Sequence, residues 1–207
     1  MITFACGGCG RSFTIAESFT GRRARCKTCG TIVTVPPTEP AALPPMPIAP
    51  PKIPLRLRRL QSDAIQMTEA FAGSELIRVV GATGDPPEVY RVEYAVRGLQ
   101  PGEGKDPIER DDHLVELQLT SEYPRLSPRC RMLTPVFHPN IDEATICVGD
   151  HWTAGERLAA LVVRIGEMIA YQAYNIRSPL NAEAAMWADL NAHKFPIDSR
   201  NLHPAEM

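Results

Sequence analysis

Residues 123–152 read YPRLSPRCRMLTPVFHPNIDEATICVGDHW. Pro124, Pro128, Pro135 and Pro139 punctuate the stretch, because proline breaks helices and cannot donate to a sheet ladder, and a short strand is expected at about Arg129–Leu133. From Thr134 to Trp152 the chain reads as a long irregular loop braced by proline. It carries one cysteine, Cys147, close in sequence to His138, Asn140, Asp150 and His151. Loops on rigid scaffolds are where reactive groups concentrate, yet a lone cysteine among polar groups is more often a small core residue. The residues of the stretch alone leave both readings open.

Working outward, the elements on either side are regular. A helix is expected from about Leu55 to Ala72, with Leu57, Leu60, Ala64, Ile65, Met67 and Phe71 on one apolar face. Three strand-like runs follow, ELIRVVGA, VYRVEYAVRGL and HLVELQLT, separated by the turn-rich segments GDPP and QPGEGKDPIERDD. In the second run Tyr90, Val92 and Tyr94 alternate with Val89, Arg91 and Glu93. After Trp152 the period becomes helical. Leu158, Leu161, Val162, Ile165, Met168 and Ile169 form a core-facing stripe, and Thr153 with Glu156 has the form of a capping box. A last helix follows Pro179, capped by Asn181, with Ala184, Ala185, Trp187 and Leu190 inward. Helix, antiparallel meander, loop and two helices describe an α+β domain.

Further upstream the composition changes. Residues 36–54 hold nine prolines in nineteen positions, a polyproline-II-like spacer. Before it, Cys6 and Cys9 form one Cys-x-x-Cys pair and Cys26 and Cys29 a second, sixteen residues on. Each pair is followed by a glycine, Gly10 or Gly30, that lets backbone amides turn toward the sulfurs. Paired thiolates at this spacing suit tetrahedral zinc in a four-cysteine ribbon, and so short a segment has no core to fold without it. The chain therefore divides into a ribbon over 1–35, a linker over 36–54 and the α+β domain over 55–207. The ribbon carries Arg11, Arg22, Arg23, Arg25 and Lys27 against Glu17 alone. A zinc–tetrathiolate centre of charge about −2 offsets part of that excess.

Bulk properties set limits on function. The 207 residues are 44% hydrophobic and 22% charged, with a formal net charge of −2, which fits a soluble globular chain and argues against nucleic acid or a membrane surface as its main partner. The apolar run LAALVV is broken at Arg164, far short of a membrane span. The start MITFACGGCG lacks the layout of a signal peptide, so a reducing, cytoplasmic setting is expected. There, paired cysteines favour metal over disulfides.

The decisive stretch is similar to the ubiquitin-conjugating enzyme family, in which Tyr-Pro-x-x-x-Pro leads into Leu-Thr-Pro, His-Pro-Asn and then Ile-Cys. The segment from Asn175 through Ser178, Pro179 and Leu180 to Asn181 resembles the family's approach to its next helix. The likeness covers about 55–200 in element order and is tightest over 123–190. It implies the family's α+β fold of N-terminal helix, antiparallel meander, active-site loop and C-terminal helices. It implies that Cys147 accepts a ubiquitin-like modifier from an activating enzyme as a thioester and passes it to an amine, lysine above all, of a substrate protein. No cofactor takes part in that catalysis. By the same resemblance Asn140 orders the loop or steadies the oxyanion, His138 holds the loop, and Ser178 occupies the gate position beside the cysteine.

The sequence departs from the family pattern at three points. Asn140 and Cys147 are seven positions apart, where the family has about eight. Ala144 stands where glycine is common, and Thr153-Ala154 where Ser-Pro grips RING-type ligases. The first two bear on the oxyanion role of Asn140. The third leaves room for a ligase that is not of the RING type, and a bacterial pathway would suit the departures and the ribbon. Three other readings compete with an enzyme of this family: a non-catalytic relative that binds a ubiquitin-like protein as a scaffold, a zinc protein that binds nucleic acid, and a cysteine peptidase pairing Cys147 with His138 or His151.

Overall fold

The computed structural model describes residues 1–37, 53–104, 106–148 and 152–204. Most of the proline-rich segment, and Asp150 and His151 beyond the cysteine, lie outside the described residues. The chain forms two compact units, Met1–Pro51 and Lys52–Met207.

The first unit is a pair of hairpins. Strand β1 (Ile2–Ala5) pairs with β2 (Ser12–Ile15), and β3 (Arg23–Arg25) with β4 (Ile32–Thr34). Each turn carries one Cys-x-x-Cys pair, and the two turns share a hydrogen-bond pattern. Cys6 N donates to Arg11 O at 2.8 Å and Gly10 N to Cys6 O at 2.9 Å; Cys26 N donates to Thr31 O at 2.8 Å and Gly30 N to Cys26 O at 2.9 Å. Gly10 and Gly30 both sit at φ 75°, a left-handed conformation that a side chain disfavours.

In the second unit helix α1 (Leu55–Phe71) buries Leu60, Met67 and Phe71, and with them Asp63. Ile65, expected on this face, is exposed; at 100° per residue it lies about 140° round the helix from Leu60. The main sheet is antiparallel in the order β10 (Arg129–Met132), β9 (His113–Gln118), β6 (Pro87–Tyr94), β5 (Ile77–Gly84). A side hairpin, β7 (Gly98–Gln100) with β8 (Ile108–Arg110), lies between β6 and β9 in sequence. Register places Tyr90, Leu117 and Cys130 in one row and Val92, Val115 and Met132 in the next, all buried. The outward row Arg91, Glu116, Arg131 is joined by ion pairs of 3.2 and 2.7 Å. The run 89–99 does not continue as one strand. Beyond Tyr94, Arg97 N donates to Asp198 Oδ2 at 2.9 Å and Ala95 O accepts from Arg200, so the backbone there bonds to the C-terminal segment.

Helix α2 (Leu158–Ile169) is buried along most of its length. It begins later than the capping-box reading requires. Thr153 O accepts from Glu156 N within a turn, and the helix cap is Arg157, with no side-chain cap bond. Tyr94 OH donates to Val162 O at 2.9 Å. Gly166 lets the sheet and the C-terminal segment approach the helix. A Cβ there would stand 2.5 Å from Leu202 Cδ2 and 3.0 Å from Tyr94 Cε1. Helix α3 (Ala182–Leu190) is capped by Asn181, whose Oδ1 accepts from Ala184 N at 3.0 Å. It packs through Ala184, Ala185 and Ala188, whereas Leu190 is exposed, about 120° round from Ala184. Among the described residues no helix is long and apolar enough to cross a membrane.

Candidate active site and metal centre

The loop after β10 is irregular but tightly held. Ile146 N donates to Cys130 O at 2.9 Å and Cys147 N to Asn140 O at 3.0 Å, folding the segment back on the strand it left. The turn at its tip is closed by Asp142, whose Oδ1 accepts from Ala144 N at 2.8 Å and Thr145 N at 2.7 Å, an Asx-type turn. Ala144 has no positive φ, so the absence of glycine there carries no strain. The start of the motif is anchored to α1. Tyr123 OH donates to Asp63 Oδ2 at 2.5 Å, and Arg59 Nε meets both Asp63 oxygens at 2.8 and 3.0 Å. The same guanidinium donates to Ala154 O and Glu156 O, while Trp152 Nε1 donates to Pro124 O at 2.9 Å. One buried acid on α1 thereby fixes both ends of the loop region.

His138 is fully buried. Its Nδ1 accepts from Asn140 N at 3.1 Å, which places the proton of the neutral ring on Nε2. That edge lies toward the Ala173 carbonyl without reaching hydrogen-bond geometry. Burial pushes the imidazole down to about 3, with the Ala173 carbonyl offsetting part of the effect, so the ring is uncharged at neutral pH. It packs edge-on to Tyr171 at 4.7 Å. Asn140 is also buried, and its amide is bonded at both ends. Nδ2 donates to Asn175 O at 2.8 Å, with Ser178 O at 3.5 Å, and Oδ1 accepts from Asn175 N at 2.7 Å. The amide thus stitches the cysteine loop to the 173–181 segment.

That second segment is aimed by Tyr171. At φ 57° it is the one non-glycine in the left-handed region among the described residues. Such a conformation costs on the order of 1–3 kcal/mol and turns the chain sharply off the end of α2. Its hydroxyl donates to Phe137 O at 2.7 Å and its ring stacks on Phe195 at 4.6 Å. Between the two segments lies a cleft of about 190 Å³, bordered by Asn140, Cys147, Arg164, Met168, Tyr174 and Ser178 among others. Cys147 is half-buried and Ser178 exposed at the rim. Three of the four residues singled out by sequence, Asn140, Cys147 and Ser178, thus meet at one cleft, and His138 lies behind it. Cys130 is buried in β10, its thiol pushed up to about 12 by burial. Arg164 on α2 was not foreseen as part of this cleft. The available signal was a cation inside the apolar stripe of a core helix.

In the first unit the four cysteine sulfurs lie within 4.8 Å of one another and could hold a metal ion. Cys6 Sγ and Cys29 Sγ are 3.7 Å apart, Cys9 Sγ and Cys26 Sγ 3.8 Å. A tetrahedron with metal–sulfur bonds of about 2.3 Å has edges of about 3.8 Å, which these two separations match. The Thr31 hydroxyl and amide hold the Cys29 thiol down to about 6, and the amides of Cys29 and Thr28 lower that of Cys26. Against the Arg11 amide, hydrogen bonding to the neighbouring cysteines, Cys29 first, pushes the Cys9 thiol up to about 11. The first two effects favour the thiolate form that a metal requires.

Comparison with known proteins bears on the second unit. The sequence profile described as "Ubiquitin-conjugating enzyme" matches residues 98–201 of the 207, a span that contains the cysteine loop, the cleft and α3. Ubiquitin-conjugating enzyme E2 N of Macaca fascicularis is 31% identical over 91 residues, covering 42% of this chain and 59% of that relative. The chain thus spans less than two thirds of the length of this curated relative. A loop stitched to the sheet through Ile146 and to the 173–181 segment through Asn140, under a profile covering half the chain, leaves one conclusion: the chain belongs to the ubiquitin-conjugating enzyme family.

Proposed function

We propose that this protein carries a ubiquitin-like modifier as a thioester on Cys147 and transfers it to an amine. The observation that carries the reading is the convergence of Cys147, Asn140 and Ser178, from two separate segments, on one open cleft. The Cys147 sulfur, as thiolate, attacks the modifier's C-terminal glycyl carbonyl carbon on an activating enzyme and displaces that enzyme's cysteine thiolate. A lysine amine then attacks the same carbon, the carbonyl re-forms, and the Cys147 thiolate leaves as the amine gives its proton to solvent. Thiolate suits both steps, being a good nucleophile and a good leaving group. His138, buried and neutral, takes no part as a base. Its hydrogen bond with Asn140 supports a purely architectural role. The paired bonds of the Asn140 amide favour loop-holding over oxyanion contact. Ser178 lines the rim through which the acceptor approaches. In the first unit Cys6, Cys9, Cys26 and Cys29 would hold a structural Zn²⁺ that folds the hairpins and has no part in the transfer. The partners of this reading are the modifier, its activating enzyme, a substrate protein and a ligase of any type.

The reading is tested by intact-mass spectrometry after incubation with an activating enzyme, ATP and candidate modifiers. The expected adduct is sensitive to reductant, becomes a reductant-resistant oxyester in Cys147→Ser, and is lost in Cys147→Ala. Cys130→Ala keeps it. An adduct that persists in Cys147→Ala would refute the assignment and favour a binding scaffold.

A further inference from the structure

The first unit has no part in the transfer, and its charge is unlike that of the rest of the chain. Residues 1–35 hold five cations against Glu17, a net of +4, while the remaining residues sum to −6. Glu17 is already engaged, its carboxylate 2.8 Å from the Met1 amine. A tetrathiolate metal of charge about −2 would offset half of the excess. The arginines are not scattered. By strand alternation Arg23 and Arg25 of β3 share one face of the second hairpin with Thr34 and Ile32 of β4, their partners in register. The other face leads to Cys26 and Val35, both buried, so the row lies on the side opposite to that cysteine. Arg22 and Phe19 sit at its end. Arg22 O accepts from Val35 N at 3.0 Å, Arg22 N donates to Phe19 O at 3.0 Å, and the guanidinium lies 5.4 Å from the centre of the exposed Phe19 ring.

Among the described residues Arg22, Arg23 and Arg25 enter no ion pair. The main sheet of the second unit is built differently. Its outward arginines are matched by acids, Arg78 by Glu93 at 2.8 Å, and Arg91 and Arg131 by Glu116. A row of like charges on so small a unit repels itself, and an anionic partner removes that repulsion. Along a strand alternate residues repeat at about 6.8 Å, and an extended peptide presents its own alternate side chains at the same interval. Guanidinium forks receive carboxylates in pairs of hydrogen bonds. Among the described residues no third strand lies on this two-stranded sheet, which leaves an edge for an extended segment. Ile32, 61% exposed and paired with Arg25, suits an apolar side chain beside the carboxylates and offers nothing to a phosphate backbone.

We propose that this face docks an extended acidic segment of a partner protein, with alternate carboxylates on Arg23 and Arg25. The docking is independent of the thioester reading, since it involves no loaded cysteine and is measured as binding. A labelled peptide in which glutamate alternates with threonine and valine is titrated with the full-length protein and followed by fluorescence anisotropy. It should bind, and its counterpart with glutamine in place of glutamate should not. Grouping the same glutamates at one end should weaken binding at least about five-fold. Arg25→Glu should weaken it at least about ten-fold. Lys27→Glu, an equal change of charge outside the row, should stay within about three-fold. The double variant Arg23→Glu/Arg25→Glu should instead prefer a peptide of alternating lysine over its grouped form, a gain that an unfolded hairpin could not direct. Absence of binding by the parent, equal binding of grouped and alternating peptides, or equal losses in Arg25→Glu and Lys27→Glu would overturn the proposal. Tighter binding of an oligothymidylate of equal charge would overturn it too, assigning the row to nucleic acid.

Discussion

His113 and His138 are both held neutral by their surroundings. Burial lowers His113 to about 4, partly offset by the Arg110 carbonyl, and His138 to about 3. The unfolded chain takes up protons near 6.5 while the folded chain does not, so stability is complete above that value and falls as the pH drops through it. Urea unfolding should therefore weaken between pH 6.5 and 5, by up to about 1.4 kcal/mol per pH unit for each histidine. His113→Gln should shallow that slope, and a flat profile over the window would contradict the burial argument. At this scale the sequence was legible where a motif carried the information. The packed place of Cys130 followed from its strand-like run, and the family resemblance implied a packed His138; both side chains are buried. Asp63 was not legible, because an acid at a core position of α1 makes sense only with Tyr123, sixty positions away, and with Arg59 turned inward to meet it. Arg164 read only as a break in an apolar run for the same reason: the cleft it borders exists only after α2 has packed.

Among the elements, helices and strands followed from apolar period, while their ends followed from long-range partners. Leu158, Leu161, Val162 and Ile165 are all buried as their spacing requires. The start of α2 is set instead by Arg59, which collects the Ala154 and Glu156 carbonyls and leaves Thr153 in a turn. Likewise the run 89–99 looked uniform, and its break comes from Asp198 and Arg200 bonding to the backbone there. Such contacts lie beyond any local window. The joint between α1 and the cysteine loop should be energetically costly to cut. Asp63→Ala leaves the Arg59 guanidinium and the Tyr123 hydroxyl short of a buried acceptor, and a loss of about 3 kcal/mol is expected in chemical denaturation. A change below about 0.5 kcal/mol would mean that water or neighbouring carbonyls replace the carboxylate without cost.

For the whole molecule, two compact units predict two separable responses. If the four cysteines hold a metal ion as proposed, a chelator should unfold the hairpins of the first unit, since they bury little besides Ile2, Cys6, Cys26 and Val35. The melting of the larger unit should stay within about 2 °C, as seen by near-ultraviolet signals from Trp152 and Trp187. Deleting residues 1–54 should preserve that melting as a cooperative transition, and loss of cooperativity would show that the units depend on one another. The four-cysteine cluster was readable because metal ligation constrains cysteine spacing, and the larger unit because its motif prolines and glycines punctuate regular periods. Gly166 lies inside α2. A glycine inside a helix costs about 1 kcal/mol against alanine, so an engineer seeking a sturdier protein would choose this position first. Here the usual improvement is barred. A methyl group would stand 2.5 Å from Leu202 Cδ2 and 3.0 Å from Tyr94 Cε1, so these buried side chains must shift to admit it. Position 166 is the keyhole through which three parts of the fold are locked, and sequence optimisation must route around it.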